Sequence, residues 1–337
     1  MNRNYFIGNA WLAIVLFALS GCGGQSVGTI PGSASSVQAA RTSGTYSDLL
    51  YVGGRVETMY SYPAVKELGT LTPQTGGYGQ GCPDAVTGNI YFTTNISGQL
   101  VLLQFPYGAT SANATISPPQ GYEVSACSAD STTGNLAVTV NKAGSAADGY
   151  VAIYPPGSSQ PQIYNDPDLL AYGACTYDNQ GNLFFLSEIK PEQEVLAEFT
   201  ATSQSFKSFS LTLNAWVTSL QWDGKYVTAE TRGRRHNNPP NEIYRLAVAD
   251  SGVSVVGTTK LKGAKGGIWI QGAIALSGRF GNAKTERYMG YYKYPKGGKP
   301  YDVFKSLADD YIHTFAVLPA PSGFHGRLTN DLITKRK

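Results

Sequence analysis

Three stretches of the sequence repeat one pattern, and this pattern decides the fold. They read GCPDAVTGNIYF at 81–92, ACSADSTTGNLAV at 126–138 and ACTYDNQGNLFF at 174–185. Each stretch runs from a cysteine to an aspartate, continues to a Gly-Asn pair and ends in a second apolar run. Asn and Gly adopt the backbone conformations that tight turns require, so each stretch predicts two β-strands joined by a turn. The Gly-Asn pairs lie 46 and 47 residues apart, which indicates a repeat.

The repeat extends in both directions from these stretches. Weaker copies read WDGKYV at 222–227 and SDLLYV at 47–52. A second motif, an apolar strand ending in an aromatic residue and proline, recurs in phase at Tyr62-Pro63, Phe105-Pro106, Tyr154-Pro155 and Tyr294-Pro295. Proline cannot donate to a strand ladder, so these pairs predict turns that lead to the outer strands of each unit.

The length of the repeat predicts an all-β, six-bladed β-propeller of four-stranded blades. Four short strands per 40–50 residues is typical of a propeller blade, and Asp48 to Leu318 leaves room for six such units. The first unit has only three strands, Leu49–Gly53, Glu57–Tyr62 and Glu67–Leu71. We therefore expect a C-terminal strand within Ile312–Leu318 to join this N-terminal blade and close the ring. A β-sandwich or two smaller β domains would be the alternative, and the blade at 267–310 is the least regular.

The Asp-x-x-Gly-Asn-Leu-Phe-Phe pattern resembles the NHL and YVTN-type repeats. Related six-bladed propellers include the gluconolactonase and regucalcin family and the streptogramin B lyase family. The resemblance covers nearly all of residues 46–318 and rests on a structural motif, so it supports the fold far more than any activity. NHL units usually end the second strand in Ala-Asp, whereas here those ends read Thr94-Asn95, Val140-Asn141 and Ser187-Glu188.

The N-terminus carries the features of an export signal. One arginine precedes a short apolar run from Trp11 to Leu19, and the following Leu-Ser-Gly-Cys ending at Cys22 resembles the bacterial lipobox. The resemblance implies a signal peptide at 1–21, a lipid-anchored Cys22 and a bacterial lipoprotein of the cell envelope. Gly23 after the cysteine favours the outer membrane over the inner one. Residues 22–45 are predicted to be a flexible tether, 46–318 the propeller and 319–337 a C-terminal tail.

The composition narrows the possible partners. Charged residues make up only 15% of the chain, and a net charge of +3 is too small to predict nucleic-acid binding. We expect a monomer attached to the membrane through its lipid.

The repeated cysteines and aspartates are predicted to be structural. Cys82, Cys127 and Cys175 are interpreted as equivalent positions in successive blades, too far apart for a disulfide, whose Cα atoms must lie within about 7 Å. We expect them to be small buried residues between blades. Each repeated aspartate, Asp84, Asp130 and Asp178, is expected to accept backbone N–H bonds in its turn.

Gluconolactonase-like enzymes hold one divalent metal in the central funnel, and this resemblance directs attention to three polar residues near second-strand ends. Asn141, Glu188 and Glu230 could face a shared opening and hold one divalent cation such as calcium or zinc. The resemblance does not match these residues to the family's motif one by one. Only three histidines exist (His236, His313 and His325), and they form no metal-binding pair in sequence.

An arginine-rich loop is the densest polar feature. Arg232, Arg234, Arg235 and His236 could clamp a carboxylate, a phosphate or an acidic glycan through paired N–H donors, or could form a solvated hairpin loop.

These observations favour a non-catalytic scaffold that binds a protein or a glycan and needs no cofactor. The alternative is a metal-dependent lactonase or hydrolase, or a lyase-like propeller enzyme, that uses funnel carboxylates or His236.

Overall fold

The computed structural model describes residues 48–53, 56–72, 74, 77–145, 148–190, 193–213, 215–232, 242–280, 287–305, 312 and 314–321. These residues form 24 strands, arranged as six four-stranded antiparallel sheets. Among the described residues we find no apolar helix of membrane-spanning length. The predicted signal peptide, Cys22, the tether and the tail beyond residue 321 lie outside the described residues and stay predictions.

The strands follow one another along the chain in blade order. In the first three blades they are β1 (Asp48–Gly53), β2 (Glu57–Tyr62), β3 (Glu67–Thr70), β4 (Tyr78–Asp84), β5 (Asn89–Ile96), β6 (Gln99–Pro106), β7 (Ala114–Ile116), β8 (Tyr122–Ala129), β9 (Leu136–Lys142), β10 (Gly149–Tyr154) and β11 (Gln162–Tyr164). In the remaining blades they are β12 (Tyr172–Tyr177), β13 (Leu183–Lys190), β14 (Gln193–Thr200), β15 (Ser205–Ser210), β16 (Trp216–Trp222), β17 (Val227–Arg232), β18 (Glu242–Ala249), β19 (Gly252–Lys260), β20 (Ile268–Gln271), β21 (Ile274–Phe280), β22 (Arg287–Lys293), β23 (Asp302–Lys305) and β24 (Thr314–Leu318).

The ring closes as the sequence predicts. Strand β24 pairs antiparallel with β1, so the first blade has the order β24-β1-β2-β3. The Thr314 hydroxyl donates to the carbonyl oxygen of Gly53 at 2.9 Å, which fixes one end of the closing strand. Pairing both ends of the chain in one sheet satisfies backbone groups that an open sheet edge would expose.

The aspartate turns are also confirmed. The Oδ1 atom of Asp84 accepts from the backbone N–H of Val86 and Thr87, and Asp130 and Asp178 make the same kind of contact in their own turns. Gly88 adopts a φ of 73°, a left-handed conformation that glycine reaches without a Cβ clash. These contacts are local in sequence, which is why one motif predicts them in several blades.

The apolar core lies between the blades. In the cluster that joins blades three and four, Tyr172 stacks on Phe185 with ring centroids 5.2 Å apart. Comparable clusters fill the other interfaces, and the innermost strands of neighbouring blades touch around the ring. Each sheet therefore buries both of its faces against its neighbours.

One cysteine prediction is wrong: Cys82 and Cys127 form a disulfide, with their Cα atoms 5.9 Å apart. Cys127 pairs with Val138 and Cys175 pairs with Phe185, and each partner is the third residue after the asparagine of the Gly-Asn turn. Cys82 pairs with Tyr91, which is only the second residue after that asparagine. A one-residue shift in register turns a side chain to the other face of the sheet. Cys82 therefore faces the blade that carries Cys127. Cys175 is buried and unpaired, as predicted, and burial raises the pKa of its thiol to about 12.

Candidate functional site

The innermost strands surround two cavities. The upper cavity, of about 220 Å³, lies where these strands begin, and its lining includes Gln80, Thr218, Glu230, Ile268, Trp269 and Thr314. The lower cavity, of about 200 Å³, lies further along the same strands and is lined in part by the disulfide and Cys175. Gln80, Leu220, Gln221 and Trp269 line both cavities and form the layer between them. We call the side of the ring on which the innermost strands begin the upper face.

Glu230 is the acidic residue of the upper cavity. Its side chain is only 6% exposed, and its Oε2 atom accepts from the Ser219 hydroxyl at 2.8 Å and from the backbone N–H of Ile268 at 3.2 Å. Ser219 belongs to the same blade, where a register shift between Val217 and Ser219 marks a bulge opposite Glu230. A bulge redirects side chains locally. The carboxyl group is thus held by donors from two neighbouring blades.

A second buried acid stands behind the wall of this cavity. Glu57 is fully buried, and its Oε2 atom lies within hydrogen-bond distance, 2.8 Å, of the hydroxyl of Thr314, a lining residue. Burial raises the pKa of Glu57 well above its ordinary value, and the Thr314 hydrogen bond offsets this only in part. The composition and repeat give no sign of this residue, because it begins a strand that reads as ordinary core.

Asn141, a predicted metal ligand, joins two blades. Its Nδ2 donates to the carbonyl oxygen of Tyr172 and its Oδ1 accepts from the Tyr172 N–H, both at 2.8 Å. Gln221 makes the same pair of bonds with the backbone of Ile270, both at 2.7 Å. Both ends of the Asn141 amide are therefore engaged in holding blade four against blade three.

The predicted metal set does not come together around the upper cavity. Glu230 lines it, but neither Asn141 nor half-buried Glu188 is among its lining residues. Over the residues that the structure describes, no group of three His, Cys, Asp or Glu side chains is close enough to share a metal ion. A cation such as calcium needs several oxygen ligands at one point. The metal site stays a prediction.

An exposed tryptophan stands where the arginine loop leaves the ring. Arg232 is the last residue of β17 and pairs with Trp216, the first residue of β16; Arg234, Arg235 and His236 lie outside the described residues. The Trp216 side chain is 64% exposed, the largest exposed fraction among the big apolar side chains of the described residues. Sequence reasoning missed it because a tryptophan at the start of a strand reads as core.

Comparisons with known proteins identify the fold alone. No known sequence family matches the chain, and no curated protein matches it in sequence. The chain does superpose on solved propellers.

Three solved structures show the likeness. A protein of unknown function from Bacteroides caccae is 10% identical, with a TM-score of 0.57 over 82% of this chain and 100% of that one. A chain of the nidogen/laminin complex is also 10% identical, with a TM-score of 0.58 over 82% and 100%. TolB from Acinetobacter baumannii is 12% identical, with a TM-score of 0.55 over 83% of this chain and 70% of TolB. Identities this low carry no activity across, because one fold serves many functions.

Proposed function

We propose that this chain is a membrane-anchored, extracytoplasmic β-propeller that acts as a non-catalytic scaffold and binds a protein partner on its upper face. The observation that carries the proposal is the exposure of Trp216. The side chain is a large apolar group left in water, and Trp216 pairs in the strand register with the arginine that leads into the arginine-rich segment, which supports a contact surface.

The chemistry of this surface favours a protein over a glycan. Tryptophan and arginine are the residues most enriched where a few side chains provide most of a protein interface's binding energy. Trp216 and Arg232 stand side by side in the strand register. The structurally similar chain from the nidogen/laminin complex also comes from a protein assembly. Binding to an acidic glycan is the competing outcome.

The anchor is the second part of the proposal. An acylated Cys22 after the apolar run would attach the chain to the cell envelope, with the outer membrane favoured by Gly23. The Cys82–Cys127 disulfide supports this, because disulfides form and persist in oxidising compartments such as the periplasm and the cell surface.

The partner surface is tested with matched variants. Trp216→Ala removes the exposed indole, and Ile163→Ala removes a 54%-exposed side chain from an outer strand of another blade. Each purified protein is immobilised and exposed to bacterial envelope extract, and bound proteins are quantified by mass spectrometry. We expect at least one protein to bind the native chain and Ile163→Ala equally and Trp216→Ala at least tenfold less. If no protein shows this difference, the proposal is wrong; retention of an acidic oligosaccharide alone would identify the competing class.

The arginine loop and the anchor have separate tests. For the loop, Arg234→Ala with Arg235→Ala should weaken partner binding, and more so at low salt, because exposed charges are screened by ions. Unchanged binding would make the loop solvated surface only.

For the anchor, cells expressing the native chain or Cys22→Ser are supplied with labelled palmitate. Label in the native chain and none in the variant is expected; no label in either would refute the anchor.

A further inference from the structure

The apolar cluster that joins blades two and three fills the inner part of their interface, and the outer part is an open cleft. The cleft consists of two cavities of about 480 Å³ and 520 Å³, which adjoin because Ile116, Ser117, Tyr154 and Ser159 line both of them. Ligand sites usually have volumes of about 300–1,000 Å³, so each cavity is large enough to hold a small molecule.

Strand register shows why this interface stays open. Ile116 in blade two has the register position that Tyr164 has in blade three, and Tyr154 in blade three has the position that Phe199 has in blade four. Between blades three and four, the rings of Tyr164 and Phe199 lie 4.5 Å apart. Between blades two and three the corresponding pair is Ile116 and Tyr154, and both line the cleft. A smaller side chain therefore leaves open the space that two rings fill at the next interface.

The polar side chains of the cleft are uncharged. Among its described lining residues there is no aspartate, glutamate, lysine, arginine or histidine. The side chains of Gln104, Thr115, Ser117 and Tyr154 have no hydrogen-bond partner within the part of the chain that the structure describes. Amide and hydroxyl groups both donate and accept, so these four side chains suit a ligand that does the same.

Apolar surface lies beside these groups. Buried Val138, Val140 and Ala152 line the cleft together with the half-buried rings of Tyr150 and Tyr154. A sugar has the matching chemistry, because its ring carries apolar C–H faces and its edge carries hydroxyls that donate and accept. A cavity of about 150 Å³ holds benzene, so a hexose with twice as many non-hydrogen atoms needs roughly 300 Å³. Each cavity therefore has room for one hexose unit, and the two together have room for linked units.

Other ligand classes fit this cleft less well. An acidic glycan would bring carboxylates to a lining without cations, where an unpaired charge is costly. An added peptide strand needs a row of backbone donors and acceptors. Strand β7 at the cleft has only three residues and is soon followed by Pro118 and Pro119, which have no N–H. A proline-rich peptide offers acceptors without the donors that the lining oxygens need.

We infer that the cleft between blades two and three binds a neutral oligosaccharide. Its sugar rings pack against Tyr150 and Tyr154, and its hydroxyls bond to Gln104, Thr115 and Ser117. This site goes beyond the proposed partner surface, because Trp216 belongs to blade five.

The first experiment tests the class of ligand on the native protein. Titration calorimetry is run with three neutral tetrasaccharides (cellotetraose, maltotetraose and chitotetraose), with tetragalacturonate, which has a carboxylate on every ring, and with decaproline. We expect at least one neutral tetrasaccharide to bind at least tenfold more tightly than tetragalacturonate. It should also bind at least tenfold more tightly than its own monosaccharide, because it extends over two adjoining cavities. Binding of none of the three, equal binding of tetragalacturonate, or binding of decaproline alone overturns the inference.

The second experiment tests the place of binding. Ile116→Tyr supplies the ring that fills the next interface, so it should weaken binding of the tetrasaccharide at least tenfold while urea unfolding stays unchanged. Val303→Tyr, which adds the same ring to an outer strand of blade six, is the matched control and should bind normally. Gln104→Ala should weaken binding at least threefold, whereas Gln193→Ala, an exposed amide in blade four, should not. Undiminished binding by both cleft variants overturns the inference; should Ile116→Tyr misfold, Gln104→Ala decides.

Tryptophan provides an independent readout of the same question. Trp216, Trp222 and Trp269 are not among the residues that line the cleft. Sugar binding should therefore leave tryptophan fluorescence unchanged, and a sugar-dependent change would place the ligand elsewhere and refute the inference. Trp216→Ala should bind the sugar as the native chain does. Loss of protein capture in that variant with sugar binding intact would support both sites, and capture without any sugar binding would refute the cleft alone.

Discussion

Glu57 gives the sharpest test of the energetics, because a fully buried carboxyl group lies at the point where the ring closes. Its partner Thr314 belongs to the closing strand. Burial raises the pKa of the Glu57 carboxyl group well above the ordinary value of 4.5. Above about pH 4.5 the unfolded chain loses this proton while the folded chain keeps it. The folded state then binds one more proton, so the free energy of unfolding falls as pH rises, by about 1.4 kcal/mol per pH unit. The fall continues until the pH passes the folded-state pKa of Glu57.

Glu57→Gln removes this proton without changing the size of the side chain. Relative to the native chain, the variant should therefore gain about 1.4 kcal/mol of unfolding free energy for each pH unit above about 4.5. The difference between the two unfolding free energies at pH 4.5 itself is a separate quantity, because an unmatched amide donor in the variant costs about 1–3 kcal/mol. Only the slope is diagnostic.

The assay is urea unfolding of the oxidised protein at pH 5, 6 and 7. Glu67→Gln, the same chemical change on an exposed residue of the same blade, serves as the control and should follow the native slope. If the native and Glu57→Gln unfolding free energies run parallel with pH, Glu57 is ionised in the folded state and the reasoning fails.

Three further predictions concern the repeat and the metal alternative. Ser128 has the same register position as Cys82 one blade earlier, and Cys175 has the same position as Cys127. Ser128→Cys should therefore form a second interblade disulfide, with Cys175, under oxidation. Free thiols at both positions on mass-spectrometric mapping would contradict the register argument. Asp130→Ala leaves the donors of its turn unmatched and should lower the free energy of unfolding by roughly 2–4 kcal/mol in urea. The control Asp168→Ala, at an exposed position, should change it little, and equal effects would remove the turn interpretation. Calcium or zinc should leave the melting temperature unchanged; a metal-specific rise abolished by Glu188→Gln or Glu230→Gln would instead support the metal-dependent enzyme.

The fold was predictable because its signals are local. An aspartate that accepts N–H bonds two to four residues ahead, and a glycine with positive φ, produce the same turn wherever they recur. Equal spacing of such turns requires equal units, and the missing strand of the first blade then requires a closing strand near the C-terminus. None of these steps depends on side-chain packing.

The disulfide was missed for a reason that is visible in the sequence. Cys82 stands two residues before its aspartate, whereas Cys127 and Cys175 stand three before theirs. In a strand this one-residue difference places the thiol on the opposite face. Alignment by the whole motif conceals the difference, and counting back from the aspartate reveals it.

The exposure of Trp216 depends on register rather than on residue type. Val217 pairs with Thr231 at the position where Tyr172 pairs with Ser187, one blade earlier. Trp216 therefore lies one residue beyond the packed part of its sheet, whereas Tyr172 is buried. A hydrophobicity pattern cannot distinguish these two aromatic residues.

The contacts between blades explain why the candidate sites escape the repeat. Apolar clusters fill every interface, and similar clusters could join blades in other orders. The polar contacts differ from one junction to the next: an asparagine holds the backbone of Tyr172, and a glutamine holds that of Ile270. A buried polar group is stable only with its own partner, so each contact favours one neighbour and one closure of the ring. Glu230 holds the N–H of Ile268 with a carboxyl group, whereas two junctions earlier the Thr139 hydroxyl holds the carbonyl oxygen of Gly173.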